Sequence, residues 1–82
     1  MSMDMDEDII KIHDLGLAAA LISSEIELLG VERAMRRVYF MFANDDKLGR
    51  AMNGYWNNTL KVPARLYFDN TKALKSRIYE AD

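Results

Sequence analysis

The chain has 82 residues, no cysteine, one histidine and a net charge of −2. That is room for one domain with a thin stability margin. It excludes a disulfide framework and a thiolate metal site, and no run of about 18 apolar residues is present to span a membrane.

Half of the residues are hydrophobic, which supports a compact core and argues against disorder. The net charge hides an asymmetry. Residues 1–30 carry seven acids and one base, a net −6, while residues 31–82 carry six acids and ten bases, a net +4. Such a split marks a basic binding surface with an acidic tail, or arises by chance in a small domain.

Residues 1–8 read as a flexible acidic leader, followed by one compact domain over 9–82. The leader is acidic where a signal peptide is basic, so the expected location is cytoplasmic. Asp4, Asp6 and Asp8 have the alternate spacing that opens a calcium loop. Ile9 stands where the loop needs glycine, and Leu15 where it needs glutamate. Asn57-Asn58-Thr59 matches a glycosylation sequon, which without secretion is a coincidence.

Ile9 to Ile12 is short and β-branched and predicts a strand with Ile10 and Ile12 inward. His13 follows as a polar residue at a strand-to-helix junction; no second His or Cys accompanies it as a metal ligand. Asp14 is a candidate N-cap. Behind it, Leu15 to Ile22 predicts a short apolar helix whose alanines allow close approach to a sheet. Leu17, Ala18 and Leu21 are its expected buried residues, and Ser23-Ser24 ends it.

Glu25 to Glu32 alternates loosely and predicts a second strand, with Gly30 marking a bulge or change of twist. The chain must turn around Arg33 to Arg36, although no Asn-Gly or Asp-Gly fixes the turn type. Arg36 to Ala43 alternates clearly and predicts the third strand, paired with the second. Val38, Phe40 and Phe42 point to the core, and Arg37, Tyr39 and Met41 point away from it.

Asn44 or Asp45 caps the next predicted helix, whose buried stripe is Leu48, Ala51, Met52 and Tyr55. Gly49 and Gly54 each weaken it by about 1 kcal/mol relative to alanine. Asn53-Gly54 is alternatively a turn, and Trp56 to Thr59 breaks the helix. Pro63 then suits a first helical position. The longest helix runs to Tyr79, with Leu66, Tyr67, Asn70, Ala73, Leu74 and Ile78 on its stripe.

The ordered set of motifs resembles a known family. Asp14-Leu15-Gly16-Leu17-Ala18-Ala19-Ala20-Leu21 opens it, and Arg36-Arg37-Val38-Tyr39-Phe40-Met41-Phe42 follows. Tyr55-Trp56-Asn57, Val62 and Leu74-Lys75-Ser76-Arg77-Ile78-Tyr79 complete it. Together, over most of residues 9–79, they resemble very small bacterial and phage proteins known only as a domain of unknown function. The family often has Gly after the first helix and an Asp-Gly-like hairpin turn, where this chain has Glu25 and Ala34-Met35. The resemblance implies a setting in phages or mobile elements and supplies no catalytic residue.

No Gly-rich phosphate loop, metal-ligand spacing or nucleophile–base pair stands out, so no enzyme, cofactor or metal is expected. The expected fold is α+β in the order β-α-β-β-α-α, a small, mostly antiparallel three-stranded sheet with helices on one face. The expected function is that of a non-catalytic accessory protein binding a protein partner, such as host machinery, through Arg37, Tyr39, Met41, Trp56 and Phe68. Alternatives are a structural homodimer and nucleic-acid binding through Arg33, Arg36, Arg37, Arg65, Lys72, Lys75 and Arg77.

Overall fold

The structure, a computed structural model, describes residues 8–80, with Glu80 described by its backbone alone. The expected leader therefore lies outside the described residues, Asp8 excepted. The elements follow the order β1 (Ile9–Ile12), α1 (Leu15–Ser23), β2 (Gly30–Ala34), β3 (Arg37–Ala43), α2 (Asp46–Trp56) and α3 (Ala64–Glu80). The fold is α+β, as the alternation and helical periodicity predict.

The sheet is antiparallel with β3 at its centre, in the order β1-β3-β2. Phe40 stands between Ile12 on one neighbour and Val31 on the other, and Phe42 stands beside Ile10. The period of two puts Val38, Phe40 and Phe42 on the face that carries the core. Phe40 and Phe42 are fully buried, together with Leu21 and Leu48 from the helices, and Leu17 is buried with them. Burying two phenylalanines and three leucines contributes roughly 1.5–3 kcal/mol per side chain.

Asp14 caps α1, its carboxylate accepting the Leu17 N–H at 2.9 Å. Three consecutive alanines, Ala18 to Ala20, are buried in that helix. Their small side chains let α1 lie closely against its neighbours. Of the two candidates, Asp45 caps α2, accepting the Leu48 N–H at 2.9 Å. Helix α2 runs through Asn53-Gly54 without a turn.

Both helices end in the same way. The Glu25 N–H donates to Ile22 and the Ile26 N–H to Leu21, the two bonds of a Schellman motif. Glu25 takes the left-handed conformation this requires, φ 67°. At the end of α2, Asn58 N–H donates to Tyr55 and Thr59 N–H to Gly54, with Asn58 at φ 61°. Asparagine tolerates that conformation more readily than glutamate does.

Several boundaries differ from the sequence reading. The second strand begins at Gly30 rather than Glu25, because the Schellman turn steers residues 26–29 back toward the core, where Ile26 is buried beside Leu21. Gly30 opens β2 opposite Met41 and sits in an ordinary ladder position. The hairpin turn is Met35-Arg36, with Ala34 paired to Arg37. Met35 has φ 56° and Arg36 does not have positive φ, the pattern of a type II′ turn. The third strand thus starts one residue later than expected.

Helix α3 begins after Pro63, whose carbonyl accepts the Tyr67 N–H at 3.0 Å, so the proline precedes the first turn rather than lying in it. Its inward stripe is Tyr67, Asn70, Thr71, Leu74 and Ile78, while Leu66 and Ala73 are exposed. The stripe is rotated because polar Asn70 bonds Ser23 on α1 at 3.0 Å, which turns Thr71 inward in place of Ala73.

Candidate functional site

Helices cover one face of the sheet, and among the described residues the other face is open. Its central row is Arg37, Tyr39 and Met41, as alternation along β3 dictates. The flanking strands add Lys11 and Glu32, opposite Met41 and Tyr39 respectively. Their side chains form a 2.8 Å ion pair that bridges the two outer strands across β3. Tyr39 and Met41 are half-buried, while Lys11 and Arg37 are exposed.

One end of this face is organised around His13. The Arg37 guanidinium lies 3.3 Å and 3.4 Å from its two ring nitrogens. Tyr39 meets the imidazole edge-on, with ring centroids 5.9 Å apart and an interplanar angle of 89°. Beyond them, Ala34, Met35, Arg36, Arg37 and Tyr39 line an open depression of about 550 Å³. Met35, at the tip of the turn, is 97% exposed. Arg36 and Arg37, with Lys11 farther along the face, make this side rich in groups that attract negative charge, with Glu32 as the acid drawn onto Lys11.

The other expected partner-binding residues lie elsewhere. Trp56 ends α2 and is 61% exposed; Phe68 projects from α3 and is 60% exposed. The five residues thus divide into a sheet-face group of three and two separate aromatics on the helices.

The seven expected nucleic-acid residues divide as well. Arg36 and Arg37 stay on the hairpin and the open face. Arg33 alternates to the covered face of β2 and donates a hydrogen bond to the Ile78 carbonyl of α3, so it fastens sheet to helix. Arg65, Lys72, Lys75 and Arg77 are exposed on α3. Lys72 holds its ammonium 5.3 Å from the centre of the Phe68 ring, a cation–π contact that occupies both side chains.

A second concavity was not foreseen from the sequence. Ala20, Tyr55, Trp56, Asn58, Leu60, Val62 and Tyr67 line a groove of about 460 Å³. The chain builds it locally. The left-handed Asn58 folds the connection back so that Leu60 presses on α2. A Cβ added to Gly54 would lie 3.2 Å from that of Leu60. At the far wall, Gly16 makes room for two phenols. A Cβ there would meet the Tyr55 oxygen at 2.9 Å and the Tyr67 oxygen at 3.2 Å. Tyr67 donates to the Gly16 carbonyl at 3.4 Å. Burial raises the pKa of Tyr55 above its ordinary value, with the Asp14 carboxylate and Tyr67 adding to the shift. The one sequence signal for this groove was the run of Tyr55, Trp56 and two asparagines.

Among the described residues, no group of three or more His, Asp or Glu side chains is placed to hold a metal ion. Nor is any described helix long and apolar enough to cross a membrane. The family model described as Domain of unknown function (DUF5659) matches residues 7–80. No curated protein and no solved structure matches the chain.

Proposed function

Because the chain belongs to the DUF5659 family, whose description assigns no activity, we propose from its own surface that it is a non-catalytic accessory protein acting by stoichiometric binding of another protein. The observation that carries this reading is the open sheet face, where Tyr39 and Met41 stand half-buried on the central strand. A phenol and a thioether beside guanidinium groups are the residue types that anchor protein interfaces. Arg36, Arg37 and Lys11 around them favour a partner that presents carboxylates at its rim and apolar groups at its centre. The phage or mobile-element setting that the family resemblance implies makes host machinery the natural target.

The test is a pull-down from host lysate, with and without nuclease, using the parent chain and a Tyr39→Ala, Met41→Ala double variant. A partner retained after nuclease by the parent and lost by the folded variant supports the reading. Catalytic turnover of a substrate by the purified protein defeats it.

Nucleic acid is the second reading, carried by Tyr39 beside Arg36 and Arg37, an aromatic and two guanidiniums on one depression. A gel-shift series over salt separates the two. Binding with a steep salt slope, lost in Arg36→Ala plus Arg37→Ala, selects nucleic acid. A structural homodimer through the same face would appear as a doubled mass in solution.

A further inference from the structure

We propose that the groove between α2 and α3 is a second binding site, distinct from the open sheet face, and that it takes a proline-rich segment of a partner protein in its extended, left-handed helical form. Four features support this occupant. The walls are aromatic: the Tyr55 and Trp56 rings meet at 83° with centroids 5.0 Å apart, and Tyr67 faces them from α3. Two rings nearly at right angles make a corner that accepts a compact, non-planar ring against both surfaces. A pyrrolidine has that shape, and polyproline helices dock into grooves lined this way.

The second feature is charge. The lining holds no acidic or basic side chain, only Ala20, Asn58, Leu60, Val62 and the three aromatics. Such a wall matches an uncharged occupant, since an ionised group placed there would lose water without gaining a counter-charge.

The third is hydrogen bonding. Among the described residues, neither the Trp56 indole N–H nor the Asn58 carboxamide has a protein partner. Both residues line the groove and carry donors that no other described residue engages, and the indole is a donor only. Proline supplies a carbonyl acceptor and brings no N–H that would need one. The fourth is size. A volume of about 460 Å³ suits a few residues rather than a folded surface.

The site contains its own reporter, since Trp56 is the sole tryptophan. Decaproline is titrated into the full chain while Trp56 emission is followed, with a glycine–serine decapeptide as control. The expected result is a saturable shift with decaproline and none with the control. Tyr67→Ala should weaken the response by roughly tenfold or more, as truncation of an interface anchor does. Asn58→Gly keeps the left-handed backbone and removes only the carboxamide, so it should weaken binding without loss of folding. Tyr39→Ala should bind decaproline like the parent chain, which separates this site from the sheet face. The proposal is overturned by no saturable response at millimolar decaproline, or by an equal response to the control. Undiminished binding by folded Asn58→Gly and Tyr67→Ala, or a response to choline in place of decaproline, also overturns it.

Discussion

The side-chain amide of Asn70 on α3 donates to the Ser23 hydroxyl on α1 at 3.0 Å, and that hydroxyl donates in turn to the Ala19 carbonyl at 2.8 Å. Ser23 is buried, so this relay is a polar tie between the longest helix and the core helix, beside the bond from Tyr67 to the Gly16 carbonyl. Asn70→Ala leaves Ser23 with one partner fewer and little water to replace it. The expected loss is about 1–2 kcal/mol, read as a fall in Tm of about 4–8 °C for each kcal/mol. Unchanged thermal melting would show that the tie contributes nothing.

Two turns carry conformational strain. Glu25 and Met35 both occupy the left-handed region, at φ 67° and 56°. An L-residue loses about 1–2 kcal/mol there, and glycine gives back part of that through its greater freedom when unfolded. Glu25→Gly and Met35→Gly should each stabilise the chain by up to about 1 kcal/mol. Urea melts at equal m-value would show the gain as a higher midpoint. Asn58→Gly should gain less, because asparagine already tolerates this conformation.

Gly49 differs from the other glycines. An added Cβ there meets nothing within 4 Å, and the residue lies inside α2. Gly49→Ala should therefore stabilise by about 1 kcal/mol through helix propensity alone. Gly16→Ala should do the opposite, since its new methyl would displace the Tyr55 and Tyr67 hydroxyls. Thermal melts of the two variants should move in opposite directions.

Phe40 is the keystone of the sheet, fully buried and flanked by Ile12 and Val31. Phe40→Ala should cost about 3–5 kcal/mol, most of what a chain of this size has. Loss of a cooperative melt, with near-ultraviolet dichroism absent at room temperature, is the expected result.

Alkaline pH should weaken the fold through Tyr55. Its pKa is raised by burial first, then by Asp14 and Tyr67. Above about pH 10 the unfolded chain loses a proton that the folded chain keeps, so stability falls as pH rises. The contribution is intact below that pH and disappears as pH passes the folded-state value. Tyr55→Phe should flatten this part of the urea-midpoint profile; an unchanged slope would assign the effect to other groups.

Strands and helices were legible where side-chain period and burial agree. Val38, Phe40 and Phe42 alternate with Arg37, Tyr39 and Met41, and a central strand with one covered face needs that alternation. Residues 25–29 misled because Glu25 and Glu27 alternate with Ile26 and Leu28 although the segment is a connection. Nothing about glutamate advertises a left-handed backbone. The α3 stripe was displaced because the 3.6-residue period admits neighbouring faces, and Asn70 chose between them by bonding Ser23. The open-face residues could be grouped from β3 alone. The aromatic groove could not, since it joins three separated stretches of chain, at Ala20, 55–62 and Tyr67, and its shape depends on the left-handed Asn58.

The Lys11–Glu32 pair joins the two outer strands, β1 and β2, over the top of the central β3. Those outer strands are short, four and five residues, and each is a border where a stray chain could add itself by backbone pairing. The charges on these borders oppose that growth, since another ribbon arriving there would have to strip water from lysine, glutamate or arginine. A sheet with one broad face bare thereby limits fibril formation along its rims.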